Sequence, residues 1–283
     1  MPLTTAAELV GAAYAAGRGV IAFNVIGLEH AEGIIAGAEA AGTGVVLQVS
    51  QNCVAYHGSV TPIATAALAA ARAAAVPVAV HLDHATSEEL VREAAAVGIG
   101  SVMYDASVLP YADNVRMTAN VAAWCHERDV FVEAELGEIG GKDGVHAAGA
   151  RTDPVEAAEF VRLTGVDALA VAVGSSHAMQ TRDAVLDLGL VRRIRATVPV
   201  PLVLHGSSGV PDDALSAAVA AGLTKINIAT QLNKVFTAAV RSRLADDAAV
   251  TDPRRYLFAG RDALAAEVSR MLGALRADAG SLV

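Results

Sequence analysis

At 283 residues the chain is long enough to bury a substantial core, and its length leaves one large domain or two small ones open. A formal net charge of −9 with no basic cluster argues against nucleic acid and anionic lipid, both of which reward concentrated Lys and Arg. The apolar content of 54% owes much to alanine, and the richest stretch, Ala64 to Leu82, is broken by Arg72 and Pro77. It falls short of the ~20 unbroken apolar residues a membrane span needs. The start, MPLTTAAELVGAAYAAGRG, carries Glu8 where a secretory leader has a basic end, so a cytoplasmic chain without a targeting segment is expected. Cys53 and Cys125 have no CxxC spacing and no small-scaffold context, and are expected to be buried thiols.

Short β-branched runs alternate with Ala-rich segments of helical length, the pattern of a parallel sheet covered by helices. In chain order the strands are expected at Gly19–Asn24, Val45–Ser50, Val78–Asp83, Ser101–Asp105, Phe131–Leu136, Ala168–Val173, Leu202–His205 and Lys225–Ile228. Gly42, Gly98, Gly165 and Gly222 stand where helices hand over to strands and a left-handed residue is wanted. VPVAVHLDHATSEELVREAAAVGIGSVMYD, around the third strand, echoes VPVPLVLHGSSGVPDDALSAAVAAGLTKIN, around the seventh. Units four strands apart face each other across an eightfold barrel, and the first strand is not followed by a GxGxxG fingerprint. The expected fold is therefore α/β, a (β/α)8 TIM barrel of one domain over residues 1–283 with a C-terminal helical extension from DPRRYL onward. Pro154 should start a helix Val155–Thr164 capped by Asp153 or Thr152, and the Gly-rich stretch Gly137–Arg151 reads as a lid or binding element.

Polar residues gather where the strands end, the end at which barrel sites are built. Asp83 and His84 follow the third strand, Asp105 closes the fourth, Glu133 and Glu135 lie in the fifth, His177 follows the sixth, His205 ends the seventh and Asn227 lies in the eighth. Three imidazoles from three strand ends, His84, His177 and His205, can share one zinc ion and leave a fourth position for substrate. His30, His57, His81, His126 and His146 fall outside this pattern. Strict alternation sends Asp83 and His84 to opposite faces, so the strand is expected to end at about Asp83 with the turn re-aiming His84. The segment LHGSSGVPDD offers amides and hydroxyls before a helix, the makings of a phosphate cradle or of a mere cap. Asn227 and Thr230 in KINIAT can bind a hydroxylated phosphorylated substrate, or Thr230 can cap the next helix.

HLDHA, SVMYDAS, VEAELGEIGG, TDP, AVGSSHA, PLVLHGSSGVPD and KINIATQLN, in that order, resemble the successive motifs of the class II ketose-bisphosphate aldolases. The likeness begins at GVIAFNV and LQVS and reaches DPRRYL, nearly the whole chain. It implies a lyase that cleaves a ketose 1,6-bisphosphate, fructose 1,6-bisphosphate first, to dihydroxyacetone phosphate and glyceraldehyde 3-phosphate through a zinc-stabilised enediolate. It further implies His84, His177 and His205 as Zn2+ ligands and Asp83 as the acid/base at the cleaved hydroxyl. Glu135 and Asp105 resemble positions for an alternative or second ion, and a monovalent cation is a further expectation. Asn24, Ser50, Ala178, Gly206, Ser207, Ser208, Asn227 and Thr230 resemble substrate-binding positions, and a homodimer or homotetramer is implied.

The chain departs from the family in three places. Where a loop glutamate usually exchanges the second proton it reads GGKDG, so Asp143 or Glu138 is the second base. Ala178 and Ser207 stand where the family has glycine, which leaves tagatose 1,6-bisphosphate or another ketose phosphate as alternative substrates. Arg254 or Arg255 is a candidate for the far phosphate, from the chain itself or a neighbouring subunit. Two rival readings are a Schiff-base aldolase through Lys225, which lies toward the wrong end of its strand, and a barrel that binds sugar phosphate without turnover.

Overall fold

The structure is a computed structural model that describes residues 2–137, 151–176, 179 and 181–279. In chain order it runs α1 (Ala6–Ala15), β1 (Val20–Asn24), α2 (Leu28–Ala41), β2 (Val45–Ser50), α3 (Gln51–His57), α4 (Val60–Ala73) and β3 (Val78–Ala85). It continues α5 (Glu88–Val97), β4 (Ser101–Tyr104), α6 (Tyr111–His126), β5 (Phe131–Glu135), α7 (Pro154–Thr164) and β6 (Ala168–Ala170). Last come α8 (Leu188–Thr197), β7 (Leu202–Leu204), α9 (Asp212–Ala221), β8 (Leu223–Ile228), α10 (Thr230–Asp246) and α11 (Pro253–Ala279). The eight parallel strands pair in sequential order and β1 pairs with β8, so the sheet closes into a (β/α)8 barrel.

Period-two alternation sorts the strand residues into two cores. Ile21, Phe23, Leu47, Val80, Leu82, Tyr104, Val132, Leu204 and Ile226 face outward and pack under the helices. The intervening residues face the axis. At the N-terminal end Val20, Ala22, Val46 and Ala79 close on Ala6 and Val10 of α1, which plugs the barrel floor. Farther along, the inward positions turn polar: Gln48, His81, Asp83, Glu133, Lys225 and Asn227 are all buried. An apolar floor beneath a polar upper layer sets up a site at the C-terminal end of the strands.

Gly42, Gly98 and Gly165 end α2, α5 and α7 at φ of 62°, 105° and 69°, and Gly222 follows α9 at 127°. Asp153 caps α7 by accepting from the amides of Val155 and Glu156, while Thr152 Oγ1 accepts from Ala172 N, so Asp153 is the cap and Pro154 the first helical residue. The expected C-terminal extension is the long helix α11, which lies along α2 and α10. A Cβ on Gly33 would stand 2.9 Å from Arg261 O and one on Gly37 2.5 Å from Ala265 O, so these glycines let the two backbones approach. Both cysteines are free and buried, and burial pushes each thiol up to about 11. No described helix is long and apolar enough to cross a membrane.

Some boundaries shift. β3 runs on to Ala85, two residues past the expected end, and β8 begins at Leu223, making Lys225 its third residue. β6 is only Ala168–Ala170, and β4, β5 and β7 each stop one residue earlier than expected. Thr230 is the first residue of α10 and makes no capping bond; the hydroxyl of Ser208 accepts from Ala229 N and Gln231 N instead.

Asp212, at the start of α9, accepts from Arg182 at 2.5 Å and from Arg270 of α11 at 2.5 Å, and Arg182 also donates to Val210 O. Burial raises the Asp212 carboxyl, but the bonds to Arg270 and Arg182 outweigh it and hold it below the usual range. A lowered folded-state value stabilises the fold above the unfolded value of about 3.9, and that stability is lost as pH falls through the lowered value. Asp212→Asn should therefore lower the melting temperature at pH 7 by about 2 °C, for a solvent-screened loss of roughly 1 kcal/mol. Scanning calorimetry should show the gap from wild type narrowing below pH ~4.

Candidate active site

The third strand solves the alternation problem with a bulge. Between Leu82 and Ala85 the register against β4 shifts, and His84 adopts φ 55°, the left-handed region rarely used by residues other than glycine. The strand therefore continues while Asp83 and His84 both serve the C-terminal mouth. Re-aiming was expected, but the device is a bulge inside the ladder and not a strand end.

Asp83 is buried, and its Oδ2 lies 3.4 Å from Gln48 Nε2, which also donates to Asn24 Oδ1 at 2.7 Å. Its Oδ1 is buried with no hydrogen-bond partner among the described residues and sits 3.9 Å from His84 Nε2. His84 Nδ1 meets Asp105 Oδ2 at 2.9 Å, and Asp105 Oδ1 accepts from Ser107 Oγ at 2.6 Å. His205, wholly buried beyond β7, stacks edge-on against His84 with ring centroids 4.7 Å apart. Its Nε2 lies 3.0 Å from Glu133 Oε1 and its Nδ1 3.2 Å from Glu135 Oε2. Two groups, Asp83–His84–His205 and His84–Asp105–Glu135, each bring three candidate ligand atoms within 4.8 Å of one another. A borderline cation takes imidazole nitrogen and carboxylate oxygen of this kind, so the donor set fits a divalent metal.

Charge is tightly arranged here. Burial opposes charge on His205, but the bonds to Glu133 and Glu135 win and lift it to about 9. Burial likewise raises Glu133 and Asp83, yet Lys225 and His205 hold the first well below the carboxylate range, and His84 and His205 lead in lowering the second. His81 is pushed down to about 3, by burial first and Lys225 next, so it is neutral at pH 7.

The remaining expected residues fall in several places. Asn227, Asn24 and Ser50 lie on the inward faces of β8, β1 and β2 at the same end, Ser50 paired in register with Asp83 and Asn227 with Ala22. Both polar atoms of the Asn227 side chain are buried without a partner among the described residues, a group poised for a ligand. Gly206 has φ 67°, and a Cβ there would meet the backbone of Ser176 at 2.5 Å, so only glycine lets the turn after His205 nest on the loop after β6. Ser207 is buried and turns its hydroxyl down to Leu204 O at 2.9 Å, so the extra side chain fills the barrel end. The helix beyond this turn opens with Asp212 and Asp213, acids that disfavour an anion at its N-terminus. Arg254 is exposed and pairs with Asp252 at 2.7 Å, and Arg255 is exposed too. His177, Ala178, Asp143 and Glu138 lie outside the described residues.

Lys225 is buried in the barrel interior with Nζ 2.8 Å from Glu133 Oε2, which occupies the amine a Schiff base would need. The sequence reading gave no role to Glu133, Gln48 or His81. The signal was present in alternation: Glu133 shares a face with Glu135, His81 with Asp83, and Gln48 with Ser50.

Comparison with known proteins agrees with this geometry. The family model described as fructose-bisphosphate aldolase class-II matches residues 4–279. A fructose-bisphosphate aldolase of Geobacillus stearothermophilus is 39% identical over 272 residues, 95% of each chain. The solved YdjI aldolase of Escherichia coli K12 superposes with a TM-score of 0.87 at 31% identity, over 99% of both chains. A fructose-bisphosphate aldolase of Campylobacter jejuni, 21% identical, shares the fold with a TM-score of 0.77 over 97% of this chain and 95% of its own. With a closed barrel, an acid and two histidines gathered at its C-terminal mouth, and a family match along almost the whole sequence, the chain belongs to the class II fructose-bisphosphate aldolase family.

Proposed function

We propose that this aldolase is zinc-dependent and reversibly cleaves fructose 1,6-bisphosphate to dihydroxyacetone phosphate and glyceraldehyde 3-phosphate. The observation that carries the reading is the buried Asp83 Oδ1, without a partner among the described residues, beside His84 and His205. His84, His205 and His177 would hold the ion, with His177 assigned by the family motif alone. Bound zinc supplies Lewis-acid stabilisation of the negative charge that carbon–carbon cleavage leaves on the three-carbon ketone fragment.

The chain's own residues do the rest. Asp83 takes the proton of the C4 hydroxyl through Oδ1 in cleavage and returns it in condensation, while Gln48 steadies Oδ2. Asp105 bonds His84 Nδ1 and leaves Nε2 on the side of Asp83, so it orients a ligand, and it or Glu135 remains a candidate for an alternative or second ion. Asn227, Asn24, Ser50, Gly206 and Ser208 offer donors and acceptors for the hydroxyls and the near phosphate. Asp143 or Glu138 exchanges the second proton.

The name of the Geobacillus relative favours the fructose isomer. The YdjI neighbour, titled only an aldolase, keeps tagatose 1,6-bisphosphate or another ketose phosphate as the second reading. Fructose and tagatose 1,6-bisphosphates differ only in configuration at C4, the carbon whose hydroxyl Asp83 serves. Comparing kcat/KM for the two, with deoxyketose 1-phosphates as controls, decides between them. We expect the fructose isomer to lead by at least tenfold, a difference of about 1.4 kcal/mol in transition-state binding. A lead for tagatose bisphosphate would reverse the assignment. Binding of dihydroxyacetone phosphate with no cleavage of any ketose bisphosphate would replace it with a sugar-phosphate-binding barrel.

A further inference from the structure

Just below the candidate site lies a buried ion pair that no step above uses. Lys225 is 2% exposed, and its Nζ stands 2.8 Å from Glu133 Oε2. Glu133 is completely buried and turns its other oxygen to His205 Nε2 at 3.0 Å. Beside them His81 Nε2 is 4.0 Å from Glu133 Oε2, and its Nδ1 meets Ser101 Oγ at 2.7 Å. Taking both charges of such a pair out of water is costly, and apolar residues of the same volume often serve stability as well or better. The positions paired with it in register are apolar, Met103 and Ala168 beside Glu133 and Val203 beside Lys225, so neighbouring strands pack here without charge.

The pair's geometry points outward to His205. A carboxylate only accepts, so His205 Nε2 donates to Glu133, and Nδ1, 3.2 Å from Glu135 Oε2, is the nitrogen that a bound cation would take in place of its own hydrogen. Glu133 sits on β5, Lys225 on β8 and His205 at the end of β7, so the carboxylate is anchored from one side of the ring and holds it from another. With one oxygen pinned by Lys225, the other cannot swing away from the imidazole.

We propose that Lys225 and Glu133 are positioning residues for metal binding: the lysine fixes the carboxylate, and the carboxylate fixes the ring orientation and tautomer of His205. This rests on the reading of His205 as a metal ligand. Carboxylate partners of ligating histidines typically govern affinity by about 10–100-fold.

The test is the Zn2+ dissociation constant of the full chain, measured by competition with a chromogenic chelator, beside the melting temperature of each metal-free protein. Glu133→Asp keeps the charge opposite Lys225 and withdraws the oxygen from His205. The double variant Lys225→Met with Glu133→Gln removes both buried charges at nearly constant shape. Each should bind zinc about 10–100-fold more weakly than wild type, in excess of any change in the metal-free melting temperature. Wild-type affinity in both variants would overturn the positioning role. His205→Ala separates the two readings: if it alone loses zinc, only the positioning role falls, and if it keeps wild-type affinity, the ligand reading falls and takes this one with it. Should the variants not fold, nitrogen-15 spectra of histidine-labelled, zinc-loaded wild type decide. His205 protonated at Nε2 and coordinated through Nδ1 supports the role, and the opposite tautomer ends it.

Discussion

Asp83→Ala should lose about 10²–10⁴-fold in kcat for cleavage, the range of a positioned acid/base, while retaining one zinc per chain. The loss is chemical because Asp83 Oδ1 is a buried acid atom with no partner among the described residues, 3.9 Å from a proposed ligand nitrogen. Zinc is retained because His84 keeps Asp105 and His205 keeps Glu133, so the histidines remain oriented without Asp83. Packing changes little, since Gln48 still has its 2.7 Å bond to Asn24 when the Asp83 carboxylate is gone. Steady-state cleavage assays with metal analysis by atomic absorption read both quantities. Activity within tenfold of wild type would remove Asp83 from the mechanism. Loss of zinc along with activity would make it a ligand.

Chelation should have the larger effect. Prolonged EDTA treatment is expected to bring cleavage down to the assay floor, and stoichiometric Zn2+ should restore most of it. His84 and His205 gather with acidic neighbours in a donor set that fits a cation, and Lys225, which could otherwise meet a carbonyl, is tied to Glu133 deeper in the barrel. A Schiff-base enzyme would behave in the opposite way, surviving the chelator and losing activity on borohydride treatment with substrate. The 2.8 Å bond to Glu133 occupies the Lys225 amine inside the barrel. Borohydride-stable label on Lys225 after exposure to substrate would sink both the metal mechanism and the role assigned to this lysine.

How much of this was legible in the chain differs from element to element. β2 is found where its β-branched run predicts, Val45–Ser50, and the helix-ending glycines take the left-handed conformations that their placement implies. Composition and period carry such information because strand burial and helix termination are decided by neighbours along the chain. Strand ends were read too long in β4 to β7, where the chain stays extended or buried past the last paired residue, as Val171 and His205 do, and composition does not mark where pairing stops. Ser208 could not be foreseen as the acceptor for the Ala229 and Gln231 amides, because the partners are 21 and 23 residues away. The bond from the Ser207 hydroxyl to Leu204 O was likewise not legible, because it depends on the turn at Gly206.

The sequence by itself determined the barrel and the family, because alternation, glycine placement and ordered motifs are properties of the string. Only the tertiary structure decided how Asp83 and His84 both reach the mouth, since the bulge depends on the register of β3 against β4. It alone also joined Glu133 to Lys225 and His205, which lie 92 and 72 residues away along the chain. Closing eight strands into a barrel brings such inward side chains within hydrogen-bond distance across its axis. No local pattern records that distance, and so the chemistry's supporting layer became visible only once the barrel was closed.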